Sequence, residues 1–163
     1  MDISVIATGG TIDKIYFDAR SQYCVGAPQA GVILEEANVA LACRVASLLR
    51  KDSLDLDDAD RERIRAAVAA DPCPRIIVTH GTDTMVQTAR VLRSITGKTI
   101  VLTGAMQPAG QRLSDAAFNV GFAVAAVQLL PPGVYIAMNG CVHDPATTRK
   151  NAAAARFEPA DPD

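Results

Sequence analysis

Two threonine-bearing turns are the residues of this chain best suited to chemistry. Residues 3–13 read ISVIATGGTID and residues 76–84 read IIVTHGTDT. In each, an apolar run fit for a buried strand breaks at glycine and delivers a threonine, Thr11 in the first and Thr82 in the second. Gly9 and Gly10 permit a turn closed to most residues and let a ligand approach the backbone. Thr11 then presents a hydroxyl beside unhindered N–H groups, the pairing that acyl transfer to a threonine requires. A plain glycine turn with a solvent-facing threonine explains the same four residues equally well. In the second turn, Gly81 allows the chain to turn and Thr82-Asp83 open a helix. Its N–H groups suit a carboxylate, and Asp83 suits an ammonium group. Capping of that helix is the simpler account of Thr82 and Asp83. Two such turns in one small domain shift the balance towards a site.

Other chemistry-bearing residues carry less. His80 is placed to be a base, but it precedes its turn and is expected half buried at a strand end, in a structural role. His143-Asp144 lacks a third ligand at metal-binding spacing. The acidic run Asp52–Asp60 lacks the central glycine and distal glutamate of a calcium loop, so helix capping accounts for it. Gly97-Lys98-Thr99 resembles the end of a phosphate-binding loop, but Leu92 stands at its first glycine position and a strand follows instead of a helix. Lys150, in TTRKNAAAARFE, reads as a solvated surface charge unless the fold brings it to Thr82 and Asp83, where it would act on the threonine.

The elements that must position these residues alternate. Strands are expected at Ile3–Ala7, Arg44–Leu49, Arg75–Thr79, Thr99–Thr103 and Val134–Met138. Helices are expected at Asp60–Ala70, at Thr82–Ile95 with Thr82 as cap, at Ser114–Leu130 and, more weakly, at Gln29–Val39. Alternation of this kind gives a parallel, doubly wound α/β sheet, whose ligands bind at the carboxyl ends of the strands. Residues 13–30 form a mobile hairpin or lid in this reading, residues 104–113 a loop, and residues 139–163 a tail without clear period. The domain is expected to span residues 1–158, with 159–163 frayed.

Bulk composition narrows the function. At 163 residues the chain suits one domain. Sixteen basic against 18 acidic residues give a net charge of −2, with no basic patch, which argues against nucleic acid. Cys24, Cys43, Cys73 and Cys141 form no CxxC pair and read as free thiols of a reducing compartment. A strand beginning at Ile3 leaves no room for a leader, and the apolar stretch Ala116–Leu130 is too short to span a bilayer. A soluble cytoplasmic protein is expected.

Taken together, ATGGTI, VTHGTDTM and GAMQP, with Tyr23-Cys24-Val25-Gly26 following the first motif, resemble the bacterial-type L-asparaginases in order and spacing over nearly the whole chain. The resemblance implies a single flavodoxin-like domain equivalent to that family's N-terminal domain. It implies hydrolysis of L-asparagine to L-aspartate and ammonia, without cofactor or metal and with weak or no action on glutamine. It casts Thr11 as primary nucleophile, Tyr23 as its activating partner on the lid, and Thr82, Lys150 and Asp83 as a second triad. Gly10, Ser53, Gly81, Thr82, Asp83 and the backbone of Ala105 become substrate-binding positions. Which threonine attacks first is left open, with Thr11 favoured. Leu54 replaces the family's hydrogen-bonding glutamine, which should weaken the grip on the α-amino end. Typical members are about twice as long and oligomeric. This chain resembles the short forms, and a homodimer or homotetramer is expected, its site completed by its own tail or by another copy. Two rival readings are an amidase for glutamine or another small amide, and a non-catalytic amino-acid sensor.

Overall fold

A computed structural model describes residues 2–17 and 22–160. Its centre is a six-stranded sheet built from β1 (Asp2–Gly9), β4 (Ala42–Lys51), β5 (Arg75–Thr79), β6 (Thr99–Thr103), β7 (Gly133–Met138) and β8 (Cys141–His143), in the order β4-β1-β5-β6-β7-β8. All neighbours run parallel except β7 and β8. Counting only the parallel strands in chain order, the sheet reads 2-1-3-4-5, the flavodoxin-type arrangement. The chain winds one way from β1 to β4, then returns across β1 to β5. The switch point therefore lies between β1 and β5, the two strands that end in the threonine turns. The mixed α/β architecture with a mostly parallel sheet is the one expected.

The strands are central because their side chains are aliphatic on both faces. Ile76, Val78, Ile100, Leu102, Ile136 and Met138 pack on one side with α2 (Asp58–Ala70) and α3 (Met85–Leu92). Ile3, Val5, Ile77, Val101 and Ala137 pack on the other with α1 (Ala30–Glu36) and α4 (Ala116–Leu129). A strand buried on both faces loses the alternation of a half-exposed one. Helix α4 is apolar all round: Val120, Ala123 and Val127 lie against the sheet, while Phe118 and Leu129 stay exposed. No helix among the described residues is long and apolar enough to cross a membrane.

Two parts depart from expectation. The tail is not aperiodic: β8 extends the sheet, and β9 (Thr148–Asn151) pairs antiparallel with β10 (Arg156–Pro159). Short polar strands give little periodic signal, and here one buried apolar side chain, Phe157, anchors the hairpin in the core. Strand β10 reaches Pro159, and Ala160 N–H donates to Thr147 O at 2.7 Å; residues 161–163 lie outside the described set. Helix α3 begins at Met85 with Thr84 at its cap, so Thr82 neither opens nor caps it. Within the 13–30 segment, β2 (Lys14–Phe17) pairs with β3 (Gln22–Val25), while residues 18–21 lie outside the described set.

Candidate active site

Strand β1 delivers Gly9 and Gly10 with φ of 101° and 86°, the left-handed region that favours glycine. Both are held against β4 by the Gly10 N–H, which donates to Lys51 O at 2.9 Å. Thr11 follows at the head of a 3-10 turn, Thr11–Asp13, half buried. A Cβ on Gly10 would run into the backbone of Gly81. The two threonine turns are thus in contact, and only the absence of a side chain lets them meet.

Gly81 is equally constrained. A Cβ there would lie 2.5 Å from Ser53 Oγ and 2.6 Å from Ser53 Cβ. Ser53 reaches this point on a short turn after β4, capped by Asp52, whose carboxylate accepts from Leu54 N–H. Thr84 Oγ1 fastens that turn by donating to Ser53 O at 2.8 Å. Ser53 Oγ itself is buried and has no hydrogen-bond partner among the described residues. Such an orphaned hydroxyl is costly unless something else supplies its partner, and here it lies beside the threonine turns. Leu54 next to it is 71% exposed.

The tail hairpin brings in the cation. Lys150 of β9 donates from Nζ to Thr82 Oγ1 at 2.7 Å and to Asp83 Oδ1 at 2.6 Å. With Thr82 and Asp83 released from capping, both side chains are free to make this triad. The lysine donates, so the Thr82 hydroxyl proton is directed elsewhere. An anchor for this arrangement is Phe157, the cross-strand partner of Lys150.

Tyr23 lies on β3, half exposed, edge-on to Tyr16 with ring centroids 5.6 Å apart. Among the described residues no hydrogen bond joins it to Thr11; its hydroxyl accepts from Gln111 Nε2 at 3.0 Å. Ala105, after β6, is fully buried. Its loop is held by Asp115, whose carboxylate accepts from the N–H groups of Met106 and Gln107, each at 3.0 Å. Asn119 supports the same loop by donating to Gly104 O at 3.0 Å. Asn119 carries no sequence signal beyond being polar in an apolar helix, and Asp115 none beyond its place just before that helix. The loop is tied back to the first turn by Ala109 N–H, which donates to Ile12 O at 3.1 Å.

His80 is fully buried rather than half buried. Nδ1 lies 2.7 Å from Gly81 O and Nε2 lies 2.8 Å from Thr88 Oγ1. A carbonyl requires a donor, so Nδ1 carries the proton and Nε2 accepts from the threonine. Burial holds its pKa down to about 4, against the upward pull of the Gly81 carbonyl. Both nitrogens are committed, and the ring braces the second turn. The acidic run serves as helix capping: Asp57 and Asp60 form a reciprocal box at the start of α2, and Asp60 also binds Lys51 at 2.6 Å. Among the described residues no group of three metal-binding side chains lies together. A cavity of about 490 Å³ opens at the amino ends of β1 and β4, lined by Ile3, Cys43 and Pro72 among others. None of the residues above line it.

Comparisons with known proteins show the family and the fold. Residues 2–158 match the family model "Asparaginase, N-terminal". The chain is 31% identical over 145 residues to the L-asparaginase of Thermococcus kodakarensis, covering 84% of this chain and 44% of that protein. It is 30% identical over 160 residues to one of the subunits of the glutamyl-tRNA(Gln) amidotransferase of Methanococcus vannielii, covering 88% of this chain and 35% of that protein. The solved thermostable L-asparaginase of T. kodakarensis superposes with a TM-score of 0.82 at 27% identity, over 98% of this chain and 51% of that one. The chain thus spans a third to a half of the length of the relatives it matches.

Proposed function

The chain belongs to the asparaginase family, through that family's N-terminal domain, and from this we propose that it hydrolyses the side-chain amide of L-asparagine to L-aspartate and ammonia. The observation that carries the reading is the contact between the two turns, with Lys150 bound to both Thr82 and Asp83. That arrangement gathers two hydroxyls, a carboxylate and a cation at the switch point of the sheet, where open α/β folds bind ligands.

In the proposed reaction Thr11 Oγ attacks the amide carbon while the Tyr23 hydroxyl accepts its proton and passes its own on towards the departing nitrogen. Backbone N–H groups of the first turn other than that of Gly10, which Lys51 O holds, stabilise the oxyanion. The amide nitrogen leaves as ammonia after receiving a proton, and water then attacks the threonyl ester to release aspartate and restore the hydroxyl. Asp83 receives the substrate ammonium, and Ser53, whose hydroxyl is otherwise unpartnered, receives the α-carboxylate. Gly10, Gly81 and the Ala105 backbone line the place between them. Lys150 orients the Thr82 hydroxyl. Leu54 offers no hydrogen bond, and weak or no glutaminase activity is part of the proposal. So are cytoplasmic residence, a lid role for the β2–β3 pair, and a homodimer or homotetramer.

Ammonia release measured across L-asparagine, L-glutamine and other small amides tests the substrate. Turnover of the others with none on asparagine would replace the reading with that of another amidase. Binding of asparagine without turnover would make the protein a sensor. Thr11→Ala is expected to abolish release; a rate near wild type would move the nucleophile to Thr82.

A further inference from the structure

The proposed first centre needs Thr11 and Tyr23 in a fixed relation, yet they sit on different elements. Thr11 heads the turn after β1, and Tyr23 lies on the far strand of the β2–β3 pair. One residue touches the supports of both. Asp13 ends the turn carrying Thr11, with its N–H donating to Gly10 O at 3.2 Å. Its carbonyl accepts from Gly26 N–H at 2.7 Å, just past the end of β3. Its Oδ1 accepts from Gln29 N–H at 2.8 Å, at the entry to α1. The two strands therefore leave and return at the same residue. Asp13 is 1% exposed, although nothing in a surface hairpin demands a buried carboxyl at its base.

We propose that Asp13 is the positioning residue of the first threonine centre, its side chain and carbonyl together fixing the Tyr23-bearing strands against the turn that carries Thr11. The proposal rests on the reading of Thr11 and Tyr23 as nucleophile and activator. Asp13 itself touches no reacting atom.

The charges around Asp13 are few. Arg50 of β4 is the cation whose field reaches it. Lys14, the next residue, is turned to Asp52 at 2.6 Å. The first turn of α1 holds no acidic residue, and the end of β3 contributes Val25. Burial pushes the Asp13 carboxyl up to about 6, more than the Gln29 N–H and Arg50 pull it down. Opening the base would return it to water and to an ordinary carboxyl. The closed form thus holds its proton more tightly, so acid favours closure and ionisation favours opening. For those two pKa values, the opening constant rises about tenfold between pH 5 and pH 8.

Amide hydrogen exchange at Gly26 and Gln29, corrected for intrinsic rates, tests this alongside steady-state kinetics on asparagine. In the wild type, protection at both amides should fall about tenfold from pH 5 to pH 8. Asp13→Asn keeps an acceptor and the volume but cannot ionise, so its corrected protection should be flat with pH. Asp13→Ala should lose at least tenfold protection at every pH, with kcat falling by a similar factor and KM changing little, and Asn should restore most of kcat. Unchanged protection in Asp13→Ala, the same pH dependence in wild type and Asp13→Asn, or unchanged kcat in an Ala variant whose base has opened would each overturn the proposal. The exchange readout needs no turnover. Failure of the functional reading, seen as full activity in Thr11→Ala, would therefore be distinguishable from failure of the clamp.

Discussion

Replacing Phe157 by alanine should damage the site without touching it. Phe157 is 4% exposed and sits in the core cluster with Ile136 and Met138, its ring 6.1 Å from that of His143. The other side chains of β10 are partly or fully exposed, and on β9 only Thr148 is comparably buried. The ring is therefore the principal apolar attachment of the hairpin that carries Lys150. If the hairpin stays docked around the void, truncation costs about 3–5 kcal/mol. For a domain of this size, about 3 kcal/mol corresponds to a fall in Tm of roughly 6–12 °C. If the hairpin releases instead, the loss in stability is smaller, but Lys150 leaves Thr82 and Asp83. Denaturant unfolding and steady-state ammonia release, measured on Phe157→Ala, Lys150→Met and the double variant, separate the two. Release predicts that Phe157→Ala lowers kcat towards the level of Lys150→Met and that the double variant is scarcely worse, because both changes remove one contact. A Phe157→Ala protein within about 1 kcal/mol of wild type and with unchanged kcat would refute the account of the tail as the support of Lys150.

Two further outcomes follow from buried contacts. Gly81→Ala places a methyl against Ser53, an overpacking that costs about 1–3 kcal/mol and displaces the Ser53 turn; KM for asparagine should rise more than kcat falls, and an unchanged KM would remove Ser53 from the proposed site. Stability against pH should show two opposed titrations. His80, held down to about 4 in the fold, contributes stability that is present above its unfolded value of 6.5 and is lost as pH falls towards 4. Asp13, raised from 3.8 to about 6, contributes stability that is present at low pH and is lost as pH rises through 6. Each amounts to about 2 kcal/mol between pH 7 and pH 4.5, so they nearly cancel in the wild type. Asp13→Asn removes one, and urea unfolding should then show stability falling about 2 kcal/mol more steeply on acidification; parallel curves for the two proteins would contradict this.

Much of this is readable in the chain before it folds. Aliphatic runs broken at glycine or proline identify buried parallel strands because both faces of such a strand must be apolar, and their ends fix where Thr11, Gly81 and Thr82 can lie. The acidic run reads as helix capping because it lacks a calcium loop's glycine and glutamate and stands before a helical pattern, and Asp57 and Asp60 form a reciprocal cap there. These are local signals, written within a few residues of one another.

What the tertiary structure alone decided is every relation between distant segments. Thr82 looked like a helix cap, since threonine before a helix usually is one. Its hydroxyl instead accepts from Lys150, 68 residues away, and the helix begins three residues later. The strands that present Lys150 are short and polar and hold one buried aromatic, so no periodicity announces them. His80 is buried because Thr88 and the Gly81 carbonyl satisfy both nitrogens. Asp13 is indistinguishable in sequence from a solvated turn residue until the chain returns to it at Gly26 and Gln29. The sequence by itself determined that two threonine turns end two apolar strands. Only long-range packing, in which loop closure must be offset by contacts absent from any local window, decided that the turns touch and which cation stands behind them.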